Sequence, residues 1–208
     1  MKPANAVVGL AAAVALSVLA PACGSNDEKA PASSSSTTSA TGSSSASATA
    51  TSSTAASADY TNLLVPLTDL QPLSGDPLQV GQPASPTNDP PGVEGTFRNA
   101  KGDNIISFNI AVLPDAAAAV KAMSGTVGIL DNWVVGGTPQ PVAVGNGGTA
   151  ALGTSPDKTK AVTVLLFTEG RASVTIHFEG PPGDAAPIDF ATAVAEKQDA
   201  TIKKNLPA

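Results

Sequence analysis

The sequence predicts an α+β fold: a single antiparallel β-sheet with helices packed on one face, in the order β-β-α, several strands, then α. Three observations carry that reading. Two pairs of strand-like segments are joined by short Gly-containing turns, the stretch after Pro114 has helical spacing, and the last twenty or so residues read as an amphipathic helix.

Taken in order, Asp59–Leu73 places Leu63, Leu64, Leu67 and Leu70 at helical spacing but is interrupted by Pro66, which predicts a short helix or turn packed on the domain. Residues 74–92 are rich in Gly, Pro, Ser and Asp and read as a loop. Val93–Asn99 and Ile105–Val112 read as strands, with Gly102 and Asp103 in the turn between them. In the second of these Ile106, Phe108, Ile110 and Val112 alternate with smaller or polar residues, the pattern of a half-buried strand.

Pro114-Asp115 then opens a helix to about Met123, with Ala116, Ala119, Val120, Met123 and Val127 as its inner face and Gly125 and Gly128 at its end. Trp133–Val135, Pro141–Val144 and Gly147–Gly153 read as short strands. Ala161–Thr168 and Ala172–Phe178 form the strongest hairpin, turning at Glu169-Gly170. Pro187–Asn205 is the last helix: Phe190, Val194 and Ile202 face the sheet, and Lys203-Lys204 suit its C-terminal dipole.

A two-residue turn at Glu169-Gly170 would pair Leu166 with Ser173, Val164 with Thr175, and Val162 with His177 on the face away from the main core. A row of Val162, Val164 and Leu166 is more apolar than an open face prefers. Either another segment covers it, such as residues 59–73, or it forms an apolar groove with Ser173, Thr175 and His177 for a ligand or partner.

The chain of 208 residues has one Cys and one His, so no intrachain disulfide and no multi-His metal site can form. A net charge of −6 with no basic run argues against nucleic acid as a partner. Gly145–Ala150 matches the outline G-x-G-x-x-A, but a dinucleotide loop must open a helix, and Leu152-Gly153-Thr154-Ser155-Pro156 follows, so it reads as a turn. His177 has no G-x-S-x-G nucleophile to serve, and it reads as a sheet-surface residue. Asp184, Asp189 and Glu196 read as loop and helix-end charges rather than a metal or acid/base set. No cofactor is expected.

The N-terminus sets the compartment. Met1–Lys2, the apolar run Ala6–Leu19 and the small residues Ala20-Pro21-Ala22 before Cys23 have the layout of a secretory signal, residues 1–22. Cys23, followed by Gly24-Ser25, resembles the lipobox of bacterial lipoproteins, which implies a diacylglycerol-bearing mature N-terminus held on the outer face of the cell membrane. Residues 31–58 contain 18 Ser or Thr and no large apolar side chain, so residues 23–58 read as a disordered tether. Its typical span is roughly 30–35 Å. Residues 59–208 are left as the folded domain.

Signal, lipobox and Ser/Thr/Ala tether together resemble the cell-envelope lipoproteins of mycobacteria and other actinobacteria. The element order, with AVTVLLFTEGRASVTIHF followed by ATAVAEKQDATI, resembles LpqN-type lipoproteins with a PsbP-like α+β domain. The resemblance implies a non-enzymatic envelope module that binds a lipid-like ligand or an envelope protein. A surface scaffold or antigen without a small-molecule site, and an envelope hydrolase, are the other classes open to such a chain.

Overall fold

A computed structural model describes residues 59–207. The signal segment, Cys23 and the tether therefore lie outside the described residues. Seven strands form one antiparallel sheet in the order β1-β2-β3-β7-β6-β5-β4: β1 Leu78–Asn88, β2 Pro91–Asn99, β3 Ile105–Val112, β4 Gln140–Pro141, β5 Asn146–Thr154, β6 Ala161–Glu169 and β7 Ala172–Gly180. The helices are α1 Leu67–Leu70, α2 Ala116–Val127 and α3 Ile188–Asn205, with 3-10 turns at Thr61–Leu63, Gln71–Leu73 and Leu130–Asn132.

The α+β class and the single antiparallel sheet hold. The placement of every helix on one face does not. One face carries the main core: Ile106, Phe108 and Ile110 of β3 stand opposite Phe178, Ile176 and Val174 of β7. Over them lie Leu63, Val65 and Leu70 from the entry segment and Ala191, Val194, Ala195 and Ile202 from α3. The other face carries a smaller core, in which Met123 of α2, Leu130 and Val134 pack on Ala151, Val162, Val164 and Leu166. A strand buried on both sides must be apolar on both sides, and β6 is buried from Ala161 to Thr168.

Residues 74–92, expected as a loop, contain β1. Its sequence LQVGQPASPTN lacks apolar alternation because it is an edge strand, largely exposed and broken by two irregularities in register against β2. Pro83 and Pro86 are tolerated there, since an edge strand leaves one side of its backbone unpaired, and they blunt that edge against further pairing.

The β6–β7 hairpin turns one residue later than expected, at Gly170-Arg171, so Glu169 pairs with Ala172 and Phe167 with Val174. Gly170 takes φ 53°, as the first central position of a type II′ turn requires. Moving the turn by one residue moves every pair by two, which preserves which side chains share a face.

Asp115 caps α2, its carboxylate accepting the Ala118 N–H at 2.8 Å. The inner row is Ala119, Met123 and Val127; Ala116 and Val120, expected with them, are exposed, because one i, i+4 row is all that this helix buries. The helix runs through Gly125 and ends at Gly128. Trp133–Val135 is a turn with a single bridge from Val135 to Thr154, and of the expected 141–144 strand only Pro141 pairs, together with Gln140 before it. The Gly145–Ala150 stretch enters strand β5, not a helix; a Cβ on Gly148 would lie 2.5 Å from the Val142 carbonyl oxygen, so its glycine serves close packing.

Candidate functional site

The structure divides the six residues expected on a ligand or partner face. Val162, Val164 and Leu166 are at most 3% exposed and form core beneath α2 and residues 130–134. The covering segment is therefore the α2 region and not residues 59–73. Ser173, opposite Thr168, is also buried. Thr175 and His177 sit opposite Leu166 and Val164 on one side and Asn109 and Ser107 on the other, and they remain half-buried.

Beyond them the same face turns polar. Thr175, His177, Ser107, Asn109, Thr96 and Glu94 come from three adjacent strands and line a shallow depression of about 250 Å³. Trp133, in the turn after α2, meets His177 edge-on with ring centroids 5.0 Å apart. Burial pushes the His177 pKa below its ordinary value, and the Glu179 carboxylate pulls it partway back. Glu179 itself is ion-paired with Lys160.

The larger concavity lies on the opposite face, at the end of the sheet where α3 begins. It is a cavity of about 470 Å³, within the range of small-ligand sites. Leu73, Leu78, Ile106, Phe178 and Phe190 supply an apolar wall. Phe178 and Phe190 meet edge to face at 5.9 Å, which fixes the angle between the strand end and the first turn of α3. Gln71 ties the wall in place, its Oε1 accepting the Leu78 N–H at 3.1 Å and its Nε2 donating to the Leu78 carbonyl.

The rim of this cavity is polar. Asn99 is buried and committed to the β2–β3 turn: its Oδ1 accepts the N–H groups of Gly102, Asp103 and Asn104 at 2.9, 3.2 and 3.3 Å, and its Nδ2 donates to Asp103. Asn104, beside it, uses its backbone in that turn and lines the cavity, with its Oδ1 beside Gly180. Asp76 and Asp184 complete the rim.

The sequence pattern places Ile106, Phe178 and Phe190 in the core but does not mark a cavity. Leu78 and Asn104 carry no such mark, because one lies in a Gly/Pro-rich stretch that reads as a loop and the other in a turn. Nothing in the local pattern marks where α3 leaves the sheet end uncovered. Asp189 falls in the first turn of α3, as a helix-end charge should. Among the described residues no three His, Cys, Asp or Glu gather to hold a metal ion, and no helix is long and apolar enough to cross a membrane.

No protein-family model matches the chain, and no curated protein matches it. Among solved structures, the fold is similar to that of the extracellular domain of PknH from Mycobacterium tuberculosis, with a TM-score of 0.51 and 9% identity. That likeness covers 70% of this chain and 95% of the other. At such identity it is a likeness of fold.

Proposed function

We propose that this chain is an extracytoplasmic envelope lipoprotein, anchored through Cys23, whose α+β domain binds an apolar small molecule without transforming it. The observation that carries the binding reading is the 470 Å³ cavity walled by Leu73, Leu78, Ile106, Phe178 and Phe190. Apolar walls with a few polar groups at one side are what a small-molecule site needs. The extracytoplasmic placement is supported by the signal-like N-terminus and by the fold shared with a domain described as extracellular. The lipobox and the LpqN-type element order support the anchor and the envelope setting.

A binding module fits better than a hydrolase. His177 is the one histidine of the chain; its ring meets Trp133 edge-on, and among the described residues no hydrogen bond joins it to the neighbouring Ser107 hydroxyl.

Native mass spectrometry of the full chain purified from a mycobacterial host tests the reading. A co-purifying small molecule that is lost in Phe190→Asp supports it, and a bare protein mass defeats it. On the same sample Cys23→Ser should remove the lipid mass and release the protein from membranes; a variant that stays membrane-bound at unchanged mass defeats the anchor.

A second occupant is favoured by a separate observation. The side chains of Thr96, Ser107, Asn109, Thr175 and His177 form a polar half-face that α2 leaves open. An envelope protein docked there would use Thr175 and His177, and the substitution Asn109→Arg, which projects a bulky charge from β3, should abolish that contact while sparing the cavity.

A further inference from the structure

Resting on the cavity reading above, we infer that its occupant is an uncharged amphiphile: an alkyl or acyl chain against the apolar wall, with a hydroxyl-bearing head at the rim. The wall determines the chain. Ile106 and Phe178 present side chains from adjacent strands, and Phe190 closes over them from α3, a surface that offers a bound molecule no hydrogen bond.

The rim determines the head. The residues lining the cavity include Asp76 and Asp184 and, among the described residues, no lysine, arginine or histidine; Glu179 also lines it, but it alternates with Phe178 along β7, so its carboxylate belongs to the His177 face. Glu179 has Lys160 as its ion-pair partner, whereas Asp76 and Asp184 are in none of the ion pairs of the described residues. A fatty-acid carboxylate or a phosphate seated there meets the like charge of Asp76 and Asp184, both exposed at the rim, which weakens its binding. The chain's own net charge of −6 adds to the repulsion.

Asn104 separates the remaining possibilities. Its carboxamide has both a donor and an acceptor, and no side-chain hydrogen bond of the described residues uses either one. A hydroxyl both donates and accepts, so it satisfies the whole group. An ammonium donates only and leaves the Asn104 Nδ2 without a partner. The adjoining carboxylates take further hydroxyl protons as hydrogen-bond acceptors.

The experiment is calorimetric titration of the full chain with three soluble probes of one chain length: monodecanoylglycerol, decanoate and decylammonium. Monodecanoylglycerol should bind at least about threefold more tightly than decanoate, the size expected for repulsion from exposed, solvent-screened rim carboxylates. The double substitution Asp76→Asn with Asp184→Asn should close most of that gap by raising decanoate affinity. Asn104→Leu should weaken monodecanoylglycerol about tenfold and leave decanoate nearly unchanged. Methyl chemical-shift changes at Leu78 and Ile106 of the unsubstituted chain locate the probe without relying on a variant that folds poorly. Decanoate binding as tightly as the glyceride, or decylammonium binding more tightly, overturns the head-group inference and leaves the cavity reading standing. Failure of all three probes overturns the cavity reading and this inference with it.

Discussion

Trp133 stands edge-on to His177, ring centroids 5.0 Å apart and planes at 69°, and this contact couples the turn after α2 to the middle of β7. The imidazole lies between the covered half of that sheet face and the open one. Burial favours its neutral form, and the nearby Glu179 charge offsets this only in part.

The sign of the pH effect follows. In the unfolded chain His177 takes a proton near its ordinary value of 6.5, while in the folded chain it does so at lower pH. Between those two values the unfolded state binds more protons, so stability is full above about pH 6.5 and is lost as pH falls through the folded-state pKa. The urea midpoint, read by Trp133 fluorescence, should therefore drop between about pH 7 and pH 5. His177→Gln should flatten that slope, and a slope unchanged in the variant would show that another group titrates.

Val164 faces His177 across the β6–β7 ladder and is fully buried under α2. Val164→Asp should therefore destabilise by about 3 kcal/mol or more, or force the new carboxyl to stay protonated. The milder Leu166→Ala should cost about 2–4 kcal/mol through the cavity it leaves. Denaturant midpoints close to the unsubstituted value for both would mean that α2 does not cover this face in solution.

How far the sequence could be read depended on where each segment buries its side chains. The central strands β3, β6 and β7 alternate or run apolar because both neighbours and at least one face are covered, and their bounds were legible to within two residues. β1 was illegible for the opposite reason: it touches one neighbour, and Val80 on it is 48% exposed. The apolar row Val162, Val164 and Leu166 could be read as covered or as an open groove, and no pattern said that α2 would cover it, since Ala119, Met123 and Val127 fit either face equally well. The cavity was illegible because a void at a sheet end is a property of where α3 starts, not of any one residue.

Two glycines should respond in opposite ways to alanine. A Cβ at Gly92 would lie 1.9 Å from the Ile110 carbonyl oxygen, so Gly92→Ala must push β2 away from β3 at a backbone contact that cannot swing aside. A loss of about 2–4 kcal/mol is expected, typical of severe overpacking. At Gly75 nothing lies within 4 Å of the added atom, and Gly75→Ala should stay within about 0.5 kcal/mol. Thermal melts of the pair check both; equal effects would argue against the β2–β3 register.

Gln198 on α3 is a polar side chain with no exposure at all. Its Oε1 accepts the Val65 N–H at 3.0 Å and its Nε2 donates to the Leu63 carbonyl at 2.6 Å. Leu63 ends a 3-10 turn and Val65 lies between that turn and α1, so the Leu63 carbonyl and the Val65 N–H have no strand or α-helix ladder to satisfy them. Gln198→Leu keeps the volume but orphans both, at roughly 1–3 kcal/mol for each buried group. A combined loss of about 2–5 kcal/mol is expected. Gln198→Glu should not rescue it, because a carboxylate accepts from Val65 but meets the Leu63 carbonyl as a second acceptor. Hydrogen exchange distinguishes this clamp from a general core defect: the Val65 amide should lose protection in Gln198→Leu well before the amides of β3 and β7 do. Uniform loss across the sheet would mean that Gln198 stabilises α3 itself and does not fasten the entry segment to it.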